Sequence, residues 1–152
     1  MFRILVLVCL ISFSSQSFAG SDVQLTKIMQ LARDILPNAK LSDGSFVPPE
    51  TDEEKKSPVI PPEDAKRVTI AGANTGIAEW CGLDWQNLSY LKFMKQERAK
   101  LIWSDKQMAY IGLLHGIMQG ATSDMMAKEK GACPPELAKQ AKEKLLVMYP
   151  NS

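Results

Sequence analysis

The sequence predicts an all-α fold, a single-domain bundle of about five helices held together by one disulfide bond. Apolar residues recur at intervals of three and four along most of the chain, which is the spacing of one helical face. No stretch shows the sustained alternation of apolar and polar residues that is typical of a half-buried strand. The chain has 152 residues, which is enough for one domain with its own core after a leader peptide is removed.

Residues 1–19 have the pattern of a secretory signal peptide. An uncharged apolar run follows Arg3, and Ser17-Phe18-Ala19 is a small-x-small cleavage site. The apolar run is too short to cross a bilayer, which takes about 20 residues. We therefore expect a mature protein that begins at Gly20 or Ser21, is periplasmic or secreted, and has no membrane contact after cleavage. A lipid anchor on Cys9 is the alternative, and the large Val8 before it disfavours that.

Positive and negative charges nearly balance, with 18 Lys and Arg against 17 Asp and Glu. Because Arg3 is removed with the signal peptide, the mature chain is neutral. Proteins that bind nucleic acid, or that are held to an anionic membrane by charge, carry an excess of Lys and Arg. We therefore expect no nucleic-acid partner.

Two cysteines, Cys81 and Cys133, remain in the mature chain and face an oxidising compartment. An isolated pair in such a compartment is normally a disulfide. Closing a loop of this length is worth about 4 kcal/mol in the chain-entropy model. We expect an intramolecular bond; two free thiols or an intermolecular bond are the alternatives.

The first helix is expected within residues 20–36, because apolar residues share one face from Asp22 onward and Pro37 stops the helix. Residues 37–62 hold most of the nine prolines and a run of mixed charges. This composition predicts an extended or mobile linker. Residues 63–152 are then the helical core domain.

Within the core domain, a second helix is expected from Glu63 to Cys81 and a third from Asp84, as N-cap, to Lys100. The third helix has a basic outer face. Its predicted inner face carries Trp85, Leu88, Leu91 and either Tyr90 or Met94.

The clearest helix start in the chain is the capping box Ser104-Asp105-Lys106-Gln107. It predicts a long fourth helix from Asp105 to Lys130, with Gly131 as its C-terminal cap. Cys133-Pro134-Pro135 then opens a fifth helix that runs through Met148.

Glycines at intervals of four give the second and fourth helices small-residue faces. Such a face lets another backbone approach closely. We expect the two faces to pack against each other; the floor of a pocket and a homodimer seam are the alternatives. The glycines concerned are Gly72, Gly76, Gly112, Gly116 and Gly120.

His115 is the only histidine and lies in the middle of the apolar fourth helix. Met108 and Met118 share its face, so imidazole and thioether groups could converge as a soft metal ligand set. Methionines also fill irregular cores, and no second histidine or free thiolate is at hand. We therefore predict no metal and no cofactor, and treat these three residues as a candidate ligand site only.

The sequence gives little support for an enzyme. Paired carboxylates among Glu63, Asp64, Glu79 and Asp84 are the one alternative, and helix ends commonly carry such residues. Phosphate loops, dinucleotide fingerprints and metalloprotease motifs are absent from the sequence. A hydrolytic triad needs a histidine beside a nucleophile, and both mature cysteines are expected to be oxidised. We predict no catalytic residues and no enzymatic activity.

The C-terminal part of the chain resembles the secreted helical immunity proteins that neutralise cell-wall amidase toxins of type VI secretion. This resemblance implies a bacterial periplasmic protein that blocks a toxin by surface complementarity. The chain departs from that family where a cysteine usually precedes the Tyr-x-Gly segment, because Met108-Ala109 occupies those positions. The residues that carry the resemblance are Tyr110-Ile111-Gly112, Gly116, Gly120, Cys133-Pro134-Pro135, Gln140, Val147 and Tyr149-Pro150.

These observations lead to the expectation of a non-enzymatic protein that binds another protein, with immunity or inhibition as the leading form. A periplasmic stress chaperone that opens on acidification and exposes its apolar interior is one alternative. A small metal-binding protein centred on His115 is another.

Overall fold

A computed structural model describes residues 19–150 of the chain, and residues 1–18 of the predicted signal peptide lie outside that range. The described part has no β-strand, only one isolated antiparallel bridge between Lys40 and Phe46. The prediction of an all-α, single-domain bundle is confirmed. The helices are α1 (Ala19–Ile35), α2 (Pro62–Trp80), α3 (Leu91–Ala99), α4 (Asp105–Lys130) and α5 (Pro135–Met148).

Helix α4 is the central element, and its most extensive contact is with α2. It begins at the predicted capping box, where Gln107 N donates to Ser104 Oγ (3.2 Å) and Ser104 N donates to Gln107 Oε1 (3.0 Å). Gly131, with φ of 72°, ends it. Helix α1 is tied to α4 because the Tyr110 hydroxyl donates to the carbonyl of Met29 (2.8 Å). Among the described helices, none has the length and apolar character needed to cross a membrane.

Residues 37–61 are fixed to the bundle, which differs from the extended or mobile linker expected for them. Val47 and Ile60 are buried in the core, and Glu50 accepts two hydrogen bonds from Arg33 of α1 (2.7 and 2.8 Å). The segment is anchored because the apolar side chains of Val47 and Ile60 pack in the core. The linker prediction was based on the overall content of prolines and charges, which does not reveal two single apolar anchors.

The chain enters α3 through a π-helical turn, Gln86–Tyr90. A π-turn inserts one extra residue into the helical register, so the predicted inner face is only partly correct. Met94 is buried as predicted, and Trp85 and Leu88 are half-buried against the core. Leu91, expected on the inner face, is 46% exposed, and Ser89, Phe93 and Glu97 are buried instead.

The disulfide between Cys81 and Cys133 joins the end of α2 to the start of α5, with the two Cα atoms 4.9 Å apart. The prediction of an intramolecular bond is confirmed. The indole of Trp80 closes the same junction by donating to the carbonyl of Gly131 (2.7 Å).

Candidate functional site

The α2–α4 contact is close because Gly72 and Gly76 lie against α4. A Cβ atom at Gly72 would collide with the carbonyl oxygen of His115, and one at Gly76 with that of Gln119. The glycines of α2 therefore allow two helix backbones to meet almost directly. These carbonyls belong to residues of α4 that are not glycines.

The glycines of α4 face other surroundings. Gly116 and Gly120 have nothing within 4 Å of the position that a Cβ would take, and both are exposed. Gly112 lies against Tyr90 Oη and Met94 Cε, each at 3.7 Å. The glycines of α2 and those of α4 therefore do not pack against each other. Gly72 and Gly76 contact the residues that precede Gly116 and Gly120, and each of those α4 glycines is rotated about 100° around the helix axis from the residue before it.

His115 occupies the centre of the core and is completely buried. Its ring stacks on Phe93, with centroids 5.2 Å apart, and is tilted against Tyr90 at the same distance. Its Nε2 lies 3.1 Å from Thr75 Oγ1, which in turn lies 2.6 Å from Ser89 Oγ. The ring therefore joins α4 to α2 and to the π-turn.

Proton counting assigns roles within this buried cluster. The Thr75 hydroxyl donates its single proton to the carbonyl of Ala71 (3.0 Å), so Ser89 and the Nε2–H of His115 donate to Thr75. Nδ1 of His115 then has no partner among the described residues. Burial lowers the pKa of His115 to about 4. The imidazole is neutral at neutral pH, and no substrate can reach it in this conformation.

The two methionines proposed as ligands beside His115 have separate places in the fold. Met108 lines a groove between α3 and α4, and Met118 packs beside Gly72 at the α2–α4 contact. Aromatic rings and the Thr75 hydroxyl surround the imidazole. Within residues 19–150, no group of three His, Cys, Asp or Glu side chains is arranged to hold a metal ion.

The corner between α3 and α4 exposes two large apolar side chains. Leu101 is 91% exposed and Ile102 is 64% exposed. Leu101 has φ of 56°, and no other non-glycine residue in the described range has a positive φ. This left-handed position after a helix normally holds glycine. This corner was not predicted, although two large apolar residues in a short connection between helices are a signal that the sequence contains.

Glu97 holds this corner in place. Its carboxylate is only 2% exposed and accepts hydrogen bonds from Arg67 (2.6 and 3.0 Å), Lys100 (3.0 Å) and the Trp103 indole (3.0 Å). Burial alone would raise the pKa of Glu97, but these donors outweigh burial and lower it. A charged Glu97 therefore connects α2, α3 and the chain that follows Ile102.

A groove of about 690 Å³ begins beside the corner and lies between α3, α4 and the segment 39–42. Aromatic and aliphatic side chains line it, among them Tyr90, Met94 and Trp103, and its exposed charged lining residues are Lys40, Arg98 and Asp105.

No family model matches this chain, and no curated protein or solved structure matches it.

Proposed function

We propose that this protein is a periplasmic or secreted, non-enzymatic binder of another protein, of the immunity or inhibitor type directed at cell-wall amidase toxins. The observation that carries the proposal is the exposed corner at Leu101 and Ile102. A leucine in the left-handed conformation lowers stability by about 1–2 kcal/mol. The Leu101 side chain does not offset this loss, because the protein itself buries almost none of it. A partner that buries both side chains would recover this cost.

A non-enzymatic role is supported by the chemistry of the interior. His115, the only histidine, is completely buried, and Cys81 and Cys133 are bonded to each other. The groups that most often serve as base or nucleophile are therefore engaged in holding the fold.

The test uses the mature chain, a purified cell-wall amidase toxin of type VI secretion, and the variant Leu101→Gly. We expect the wild-type protein to inhibit the amidase and Leu101→Gly to bind about tenfold more weakly. The same variant should be more stable to unfolding by about 1 kcal/mol, because glycine relieves the positive φ. A variant that loses binding while gaining stability cannot be explained by misfolding.

The matched control is Met125→Ala, because Met125 is 47% exposed and lies about 30 Å along α4 from the corner that precedes Asp105. This variant should inhibit like the wild type. Equal inhibition by wild type and Leu101→Gly would remove the corner from the interface. No binding to any amidase of this class would overturn the inhibitor proposal.

A second candidate function, an acid-activated chaperone, is favoured by one observation: His115 is buried with Nδ1 unpartnered. Protonation would place a charge and an unpaired N–H in the core, which favours opening. Reversible binding of an apolar dye below pH 4, together with suppression of client aggregation, would support this function. Absence of both effects would exclude it.

A further inference from the structure

The segment beside the groove has an unpaired backbone edge. Residues 39–47 fold back on themselves, with Leu41 N donating to Ser45 O (2.8 Å) and Val47 N to Ala39 O (2.9 Å). In antiparallel pairing, the residue between two such bonds directs its own N–H and C=O to the other side. Lys40 is that residue, and the N–H groups of Lys40 and Ser42 donate to no backbone carbonyl in the described range.

An unpaired edge of this kind offers its N–H and C=O groups to an extended chain. The backbone bonds supply affinity without regard to sequence, and the side chains of the added segment alternate between two faces. Since Lys40 and Ser42 also line the groove, a segment added at this edge would place every second side chain over the groove.

The floor of the groove accepts apolar side chains. Tyr90, Met94 and Trp103 line it, and Gly112 presents no side chain there. The nearest atoms to a Cβ built at Gly112 are 3.7 Å away, so even an alanine would take up space that is open. The exposed Leu101 forms one end of the groove.

The margin of the groove is basic. Lys40 and Arg98 line it from the segment 39–42 and from α3, and Lys95 lies one turn before Arg98 on the exposed face of α3. None of these three side chains forms a salt bridge within residues 19–150. Asp105 is the one carboxylate among the described lining residues. The margin therefore attracts carboxylates of a partner.

We propose that the groove binds an extended segment of a partner protein, with apolar side chains at alternate positions in the groove and carboxylates at its ends. The segment pairs with the backbone edge at Lys40, and its carboxylates meet Lys40 and Arg98. This inference rests on the proposed function in one respect, namely that the partner is a protein. It adds the conformation and the charge of the segment that the site recognises.

The experiment uses fluorescently labelled synthetic peptides and measures binding by anisotropy. The first peptide is Glu-Glu-Leu-Ser-Phe-Glu-Glu, and the second has lysine in place of every glutamate. We expect the acidic peptide to bind the wild-type protein about tenfold more tightly than the basic one. Equal binding of both peptides, or no binding of either, would overturn the inference.

Two variants and one modified peptide identify the contacts. Arg98→Glu should abolish or reverse the preference for the acidic peptide, whereas Lys139→Glu, on the exposed face of α5, should retain it. N-methylation of the peptide backbone at the central serine and phenylalanine should weaken binding about tenfold. Unchanged affinity after N-methylation would show that the segment is not bound as a strand. It would overturn the inferred pairing with the backbone edge at Lys40.

Sedimentation at the assay concentration identifies a competing occupant. A dimer that Arg98→Glu or Leu101→Gly converts to monomer would mean that a second copy of this chain covers the groove, against the inference. Amidase inhibition without peptide binding would leave the proposed function standing and remove this inference. Peptide binding without amidase inhibition would support this inference and contradict the proposed function.

Discussion

The ring of His115 joins α4 to three other elements, because its Nε2 bonds to Thr75 of α2 and its faces contact Tyr90 of the π-turn and Phe93 of α3. No carboxylate is among these contacts. A proton on Nδ1 would have no acceptor in the described range, so the core favours the neutral form of the ring.

The first prediction concerns the pH dependence of stability. The folded pKa of His115 is about 4, below the ordinary value near 6.5. The unfolded chain therefore binds more protons between these values, and stability is lost as the pH falls from about 6.5 to about 4. The loss from this group is roughly 3 kcal/mol, to be measured by urea unfolding at several pH values.

The variant His115→Gln is the control, since glutamine keeps a donor for Thr75 but does not titrate. The difference in free energy of unfolding between wild type and variant should shrink over this pH window. Parallel curves from pH 7 to pH 4 would contradict the assignment, as would a folded-state imidazole pKa near 6.5 measured by NMR.

The second prediction concerns Glu97. Glu97→Gln keeps the shape of the side chain but weakens its bonds from Arg67 and Lys100, so we expect a loss of about 2 kcal/mol in the free energy of unfolding. Glu63→Gln, at an exposed carboxylate on α2, should change stability little. Because Glu97 also holds Trp103, Glu97→Gln should weaken partner binding at the corner. Equal stability of the two variants would contradict the role of Glu97.

Among the helices, the close contact between α2 and α4 depends on the glycines of α2 that face the backbone of α4. Gly72→Ala would push a Cβ into the carbonyl of His115 and towards Met118 Cβ at 3.0 Å. Overpacking of this kind costs about 1–3 kcal/mol, which exceeds the gain of about 1 kcal/mol in helix propensity. We expect a net loss of stability, measured as a lower midpoint in chemical unfolding.

Gly116→Ala is the matched control on the same pair of helices, because its Cβ would enter open space. It should leave stability unchanged or raise it by up to about 1 kcal/mol. If both substitutions were stabilising, the close approach of α2 and α4 at Gly72 would be refuted.

The helices also differ in how well the sequence predicted their ends and their buried faces. Helices α4 and α5 begin and end where predicted, because their caps and prolines act on the residues next to them. The predicted inner face of α3 was wrong at Leu91, because the π-turn at Gln86–Tyr90 alters the register just before it, whereas Met94 is buried as predicted. That turn is held by the hydrogen bond between Ser89 and Thr75, which are 14 residues apart in sequence.

For the whole molecule, the disulfide closes a long loop that contains two of the five α-helices. Cys81 and Cys133 are 52 residues apart in sequence, and α3 and α4 lie between them. Replacing both cysteines with serine should lower the free energy of unfolding by about 4 kcal/mol. Chemical unfolding of the wild type with and without a reductant should give the same difference. No change on reduction would mean that the bond does not constrain the unfolded chain.

The helical class, the ends of α4 and α5 and the pairing of Cys81 with Cys133 were all predictable from the sequence. These features depend on periodicity, on local caps and breakers, and on there being only two cysteines outside the predicted signal peptide. Three features could be seen only in the folded protein: the anchoring of residues 37–61, the contact of Gly72 with the backbone of His115, and the strained corner at Leu101. Each depends on contacts between residues far apart in sequence, and within a helix a shift of one residue turns a side chain by about 100°.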